Sequence, residues 1–286
     1  MGVLAAVLAL GRDINAQTDH RLEQALQAIA KQASGFWQAA PGLLARERLK
    51  QKAAVPSSHK RLRLGQPALE PRPPVLKDRE IDSWYGFSAF RAAPEALHEL
   101  RRMVAVDDKP VADSQAAQAE LRVVLQSKDD GRKQALLKDF EKANLNSAAI
   151  DFGQLILLFT RSKQDQYSFE LNNTGMVGAN PALVISFHQS GGDSSLRIVE
   201  AGKRMRRPLE GEVWVRKSDY SVLRITLKTL RTDDKNDIRD EARVDYAFNP
   251  FAAVLPASII YRRFVNDQLY VENISQYSDW RPVDAK

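Results

Sequence analysis

The stretch Glu210-Gly211-Glu212-Val213-Trp214-Val215-Arg216-Lys217-Ser218-Asp219-Tyr220-Ser221-Val222-Leu223-Arg224-Ile225 decides the fold. Val213 and Val215 alternate with Glu212, Trp214 and Arg216, the period of two that gives a strand one apolar and one polar face. Lys217-Ser218-Asp219 is turn chemistry, and a second β-rich run, Val222 to Leu230, follows at once. Two such runs across a short turn pair antiparallel. The pattern repeats on both sides, in Tyr167–Leu171, Ala182–His188, Ser195–Val199, Ile238–Phe248, Ala257–Val265 and Leu269–Tyr277. Gly175 to Pro181, Gly191-Gly192-Asp193, Asp233 to Asp237, Asn249-Pro250 and Asn266-Asp267 separate them. Everything after Gln166 therefore predicts an antiparallel meander with no internal repeat.

Upstream, the period changes. From Asp19 to Trp37 the apolar residues Leu22, Leu26, Ile29, Ala33 and Phe36 advance in steps of four and three, one face of a helix. Asp19 is the expected N-cap, and Pro41-Gly42 ends the element. A short strand is predicted over Arg46 to Ala54. An aromatic-rich strand over Ile81 to Arg91 and a partner over Leu97 to Val106 follow. Ala117, Leu121, Val124 and Leu125 make one helix face, and after the break at Asp129-Asp130-Gly131, Leu136, Leu137 and Phe140 make another. Ile150 to Phe159 reads as a third helix, apolar nearly all round and so buried. An open meander with one apolar face has to cover it. The expected fold class is α+β, a curved, mostly antiparallel sheet packed on a few helices, with a cavity or a filled core between them.

The block Leu209 to Val215, with Ser218-Asp219 and Val222-Leu223-Arg224-Ile225, resembles the strand–turn–strand of the LolA/LolB-like half-barrel superfamily of periplasmic lipoprotein carriers. Tyr246, Pro250 and Leu255-Pro256-Ala257-Ser258-Ile259 are similar to the closing hairpin of that family. Tyr85-Gly86-Phe87, Leu97-His98-Glu99-Leu100-Arg101 and Asp151-Phe152-Gly153-Gln154-Leu155 resemble secreted proteins of soil bacteria that have no assigned activity. The resemblance implies a half-barrel, a periplasmic or secreted bacterial location, and lipid or lipoprotein acyl chains as partners. It departs from the simple carrier in a basic, proline-rich insertion and in the paired helices between Ser114 and Leu145. The carriers' functional arginine matches no single position here. On this basis residues 1–16 are expected to be a signal peptide, and 17–286 a single LolA-like β-rich domain with a mobile basic loop at about 55–77.

The leader rests on residues as well. Val3 to Leu10 is an unbroken apolar run, too short for the roughly 20 residues that span a bilayer but suited to a signal-peptide core. No Lys or Arg precedes it, as a full export signal would have. Hydrophobic residues at 44% and charged residues at 27% are those of a globular domain. There is no cysteine, which excludes disulfides, thiolate metal sites and cysteine nucleophiles; with no lipobox cysteine after the leader, an anchored, LolB-like form is not expected. The net charge of +6 sits wholly between Pro41 and Glu80, where ten basic residues face four acidic ones. This window and Lys203-Arg204-Met205-Arg206-Arg207 are solvated segments or contacts to anionic membrane, through the basic clusters at 59–63 and 203–207. No groove-entering helix or interleaved aromatic platform accompanies them, so nucleic acid is not an expected partner.

Catalytic patterns are missing. No Gly-x-Ser-x-Gly elbow is present. Of the four histidines, His188 beside Ser186 and Ser190 is the one to test as a base, although a structural role suits it better. No His-x-x-x-His pair exists. Asp233, Asp234, Asp237, Asp240 and Glu241 lack calcium-loop spacing and interleave with Arg231, Lys235, Arg239 and Arg243, so they read as a solvated hairpin tip. The expectation is a non-enzyme without cofactor or metal. It binds or carries an apolar ligand in the envelope against Trp84, Phe87, Phe90, Trp214 and Phe264, or else it is a non-catalytic structural or protein-interaction module.

Overall fold

The computed structural model describes residues 3–55, 75–145, 151–192, 198–200, 203–205, 208–233, 236–249, 251 and 253–284, with the side chains of the first helix from Thr18 on. The fold class is the expected α+β. Helix α1 (Val3–Ala39) leads into β1 (Leu43–Val55), β2 (Val75–Phe90), β3 (Ala93–Val106) and β4 (Lys109–Pro110). Helices α2 (Ser114–Gln126) and α3 (Asp130–Ala143) follow, then β5 (Tyr167–Val177) and β6 (Asn180–Gln189). The short pair β7 (Ile198–Glu200) and β8 (Lys203–Met205) precedes β9 (Glu210–Arg216), β10 (Val222–Asp233), β11 (Asn236–Asn249), β12 (Ala253–Val265) and β13 (Gln268–Pro282). Eleven strands form one antiparallel sheet in the order β4-β3-β2-β1-β13-β12-β11-β10-β9-β6-β5, open because its end strands differ.

The chain divides into two compact units. Unit 1 holds Met1–Leu43, Ile150–Thr229 and Arg243–Ala257; unit 2 holds Leu44–Ala149, Leu230–Ala242 and Ser258–Lys286.

In unit 2, β1 and β2 pair from Leu44↔Gly86 to Val55↔Val75, and β2 pairs with β3 from Ile81↔Val106 to Phe90↔Ala93. The turns at Asp107-Asp108 and Asn266-Asp267 have positive φ at both residues. That is the left-handed geometry that Asp and Asn tolerate and two-residue hairpins require. Asp113 caps α2 by accepting from the Gln115 and Ala116 N–H groups, and Asp129 caps α3 through the Gly131 N–H. The predicted face of α2, Ala117, Leu121, Val124 and Leu125, is buried in one cluster with Leu44, Trp84, Leu100 and Leu136. Phe140 of α3 packs with Leu49 and Ile81 instead.

In unit 1, β5, β6, β9 and β10 pair in that order. A slip in the β9–β10 ladder after Val222 lets both Val222 and Leu223 point inward. Gly211 is obligatory, since a β-carbon there would lie 2.0 Å from the Thr226 carbonyl oxygen. On β5 two residues, Asn172 and Asn173, stand between ladder positions that oppose adjacent odd positions of β6, a bulge on the last strand of the order. Buried on α1 are Ala25, Ile29, Ala30, Ala33 and Phe36.

Two expectations need correction. Asp19 is no N-cap, because α1 is helical from Val3 onward. The segment before Phe159 is buried as expected but forms a 3-10 turn, Leu155–Phe159, not an α-helix from Ile150. Its backbone is pinned from outside, since the Tyr246 hydroxyl accepts from the Ile156 N–H at 3.1 Å and donates to the Gly153 carbonyl. The basic loop around 55–77 lies outside the described residues from 56 to 74, as do the side chains of 203–207 and residue Asp234.

Candidate functional site

Side-chain alternation places the expected aromatics on different surfaces. Trp84 is buried, its indole N–H donating to the Ser114 carbonyl at 2.8 Å, with the guanidinium groups of Arg46 and Arg281 against its ring. Phe87, an odd position of the same strand, faces the other way and stacks on Trp280. Phe90 meets His98 edge-on and lies under the Lys133 ammonium. Phe264 is half-buried with Arg239 4.1 Å over its ring. These four belong to unit 2. Trp214 belongs to unit 1, on the face opposite Val213 and Val215, where it crosses Gly175 and donates to Glu212. Trp84, Phe87 and Trp214 thus do not share one face.

The interior of unit 2 is tied by charge. Odd positions of β1, β2 and β3 bring Glu47, Ser83, Tyr85, Glu99 and Arg101 onto one face. The Arg101 guanidinium donates to both Glu47 oxygens, at 2.6 and 3.0 Å, and to Glu99 at 2.6 Å, while the Tyr277 hydroxyl donates to Glu47 at 2.9 Å. All are buried. Burial by itself would lower the Arg101 pKa, yet Glu47 and Glu99 outweigh it and hold the group well above its ordinary value. Burial, with Glu99 and Glu47 adding to it, pushes the Tyr85 and Tyr277 phenols well up. A second knot joins Asp240 to Arg263 at 2.7 Å and to the Tyr261 hydroxyl at 2.8 Å. Burial also raises the Tyr261 pKa.

The sequence hid both knots. Glu47 and Arg101 are 54 residues apart, and Asp240 and Arg263 are 23 apart. Asp240, read as part of a solvated acidic tip, is a buried counter-ion instead. The one available signal was the period of two that puts Glu99 and Arg101 on one face with Tyr85 and Phe87.

Unit 1 is built differently. Phe159, Tyr167, Phe169 and Phe187 form an aromatic group with ring centroids 4.9 to 6.1 Å apart. Burial pushes the Tyr167 phenol up to about 12. Leu183, Ile185, Val213, Val215, Ile225 and Val244 of the same unit are buried as well. Among the described side chains, these polar bonds tie helix α1 to this unit. The Gln32 amide donates to the Tyr220 carbonyl and accepts from the Val222 N–H, each at 2.9 Å. Gln164 donates to the Leu26 carbonyl at 2.8 Å, and the Tyr220 hydroxyl donates to Gln24 at 3.1 Å.

The His188 side chain is 61% exposed, with Nδ1 3.9 Å from a half-exposed Glu210. Among the described residues no three His, Asp or Glu side chains are placed to hold a metal ion, and no helix is long and apolar enough to cross a membrane.

No family model and no curated protein matches the sequence. Three solved structures are similar to the chain. A LolA superfamily protein from Nitrosomonas europaea is 10% identical over 91% of this chain and 94% of its own, with a TM-score of 0.31. A putative outer membrane lipoprotein-sorting protein domain from Vibrio parahaemolyticus is 8% identical over 92% and 94%, with a TM-score of 0.36. A DUF1329 family protein from Desulfovibrio piger is 9% identical over 91% and 94%, also at 0.36.

Proposed function

We propose that residues 17–286 act as one exported, non-catalytic binding domain that takes an apolar ligand, an acyl chain of the bacterial envelope, into the interior of unit 1. The chemistry of that interior carries the proposal. Among the described residues, the buried polar side chains of unit 1 are Gln189 and Thr229, and none is charged. An acyl chain offers no hydrogen bonds, so only a site that asks for none can hold it without leaving polar groups unpaired.

The helix supports the same conclusion. Among the described residues, four of the six buried along α1 and its end are alanines, Ala25, Ala30, Ala33 and Ala40. An alanine face gives up less apolar contact on moving than a leucine face, at roughly 25 cal/mol per Å². Gln32 is then the main polar latch. The ligand would meet Ile185, Phe187 and Val213, and the envelope location rests on the export signal expected for residues 1–16.

Fluorescent fatty-acid titration tests this, together with native mass spectrometry of the protein as purified from a bacterial envelope fraction. The parent chain should take up the probe, and Gln32→Ala should take up several-fold more, because both latch bonds are lost. A parent and a Gln32→Ala chain that are both ligand-free and both ignore the probe would overturn the proposal.

A further inference from the structure

We infer that unit 1 docks on a lipid bilayer through the turn between β11 and β12, with Phe248 and Phe251 as the inserted side chains. Phe248 is 72% exposed and Phe251 52%. Single exposed apolar residues are ordinary, but two phenylalanines three residues apart on one hairpin tip are not. Next to Phe248, the Asn249 side-chain oxygen accepts from the Phe251 N–H at 3.0 Å. That bond ties the Phe251 backbone to the residue that follows Phe248.

Two other turns lie at the same end of unit 1. The Lys217 N–H donates to the Pro181 carbonyl at 2.9 Å, which joins the β9–β10 turn to the β5–β6 turn. β11 is the sheet neighbour of β10 and antiparallel to it, so its last residues lie where β10 begins, beside the β9–β10 turn. Met176, 57% exposed, stands just before the β5–β6 turn.

The charges at this end fit an anionic interface. Asp219, the one acidic residue in the three turns, is held by Arg216 at 2.9 Å and by the Ser221 N–H. Lys217 is exposed. Protruding apolar tips with a flanking cation suit a soft surface that closes around them, where aromatic rings settle between headgroup and acyl chain. A protein partner would need a matching pocket for each tip. The docking does not depend on the acyl-chain proposal, since vesicle binding and ligand uptake are read separately.

The experiment is flotation of the full chain with phosphatidylcholine vesicles containing phosphatidylglycerol. The parent should float with the vesicles. Phe248→Ser/Phe251→Ser should lower the bound fraction roughly tenfold, with an unchanged thermal midpoint because neither ring is buried. Lys217→Glu should weaken binding only when phosphatidylglycerol is present. In Phe251→Trp, emission should shift to the blue on vesicle addition and be quenched by brominated lipid, relative to the parent. A parent that stays unbound, a double variant that floats like the parent, or an unquenched Phe251→Trp signal would overturn the inference.

Discussion

Units 1 and 2 draw on the same antiparallel sheet yet fill their interiors in opposite ways. Of the thirteen buried polar or charged residues among those described, eleven are in unit 2, and every charged one is there. Unit 2 spends three buried ionic groups on a single face of β1, β2 and β3, whereas unit 1 packs phenylalanine, tyrosine and aliphatic side chains. The contrast teaches that strand alternation sets which residues meet but not what they are. A buried ion network is directional and tolerates little displacement. An apolar interior is non-directional and can exchange one apolar partner for another. The first suits a scaffold and the second a binding site.

The largest effect expected from this contrast is in unit 2. Arg101→Ala leaves Glu47 and Glu99 buried without their shared cation and should cost about 3–5 kcal/mol in a urea titration. Replacing all three by Leu or Met should restore most of that loss; if it does not, the knot contributes more than mutual compensation. In unit 1, Ile29→Ala should cost about 2–4 kcal/mol, and fatty-acid probe should recover part of this loss by filling the space. A loss that the probe leaves untouched would remove the proposed difference in plasticity.

Alkaline pH provides a graded comparison. Tyr85, Tyr277 and Tyr261 in unit 2 and Tyr167 in unit 1 all have raised pKa values when folded, chiefly through burial. A raised phenol binds its proton more tightly in the folded chain, so its contribution is whole below pH 10. That contribution is lost as pH rises toward the folded value. For Tyr167 the window is about 10 to 12; for the other three it extends further. Stability followed by circular dichroism should therefore fall above pH 10, and Tyr277→Phe should flatten the fall more than Tyr167→Phe. The smallest effect is local: Asp113→Ala removes two cap bonds from α2 and should cost about 1 kcal/mol, seen as faster amide exchange at Gln115 and Ala116.

Much of this fold was legible in the sequence, because strands and hairpins are local. The bounds Glu210 to Arg216 match β9, and Asn266-Asp267 is a two-residue turn with the φ values its residues permit. Of the break read at Asp129-Asp130-Gly131, Asp129 stands between α2 and α3 as the N-cap, while Asp130 and Gly131 already form the first turn of α3. What escaped depends on distant partners. The turn at Leu155–Phe159 takes its shape from Tyr246, about ninety residues on, which helical periodicity cannot foresee. The strand from Ile81 to Arg91 was legible together with its alternation, but not what covers each face: α2 lies against one, while Tyr277 and Trp280 lie against the other.

The bulge at Asn172-Asn173 bears on how this molecule survives at high concentration. The outermost strand of a sheet is a template on which further chains can polymerise. Two consecutive asparagines out of step with the ladder break the continuous row of donors and acceptors such growth requires. Straightening that strand by deleting one asparagine should leave the monomer folded and start filament formation.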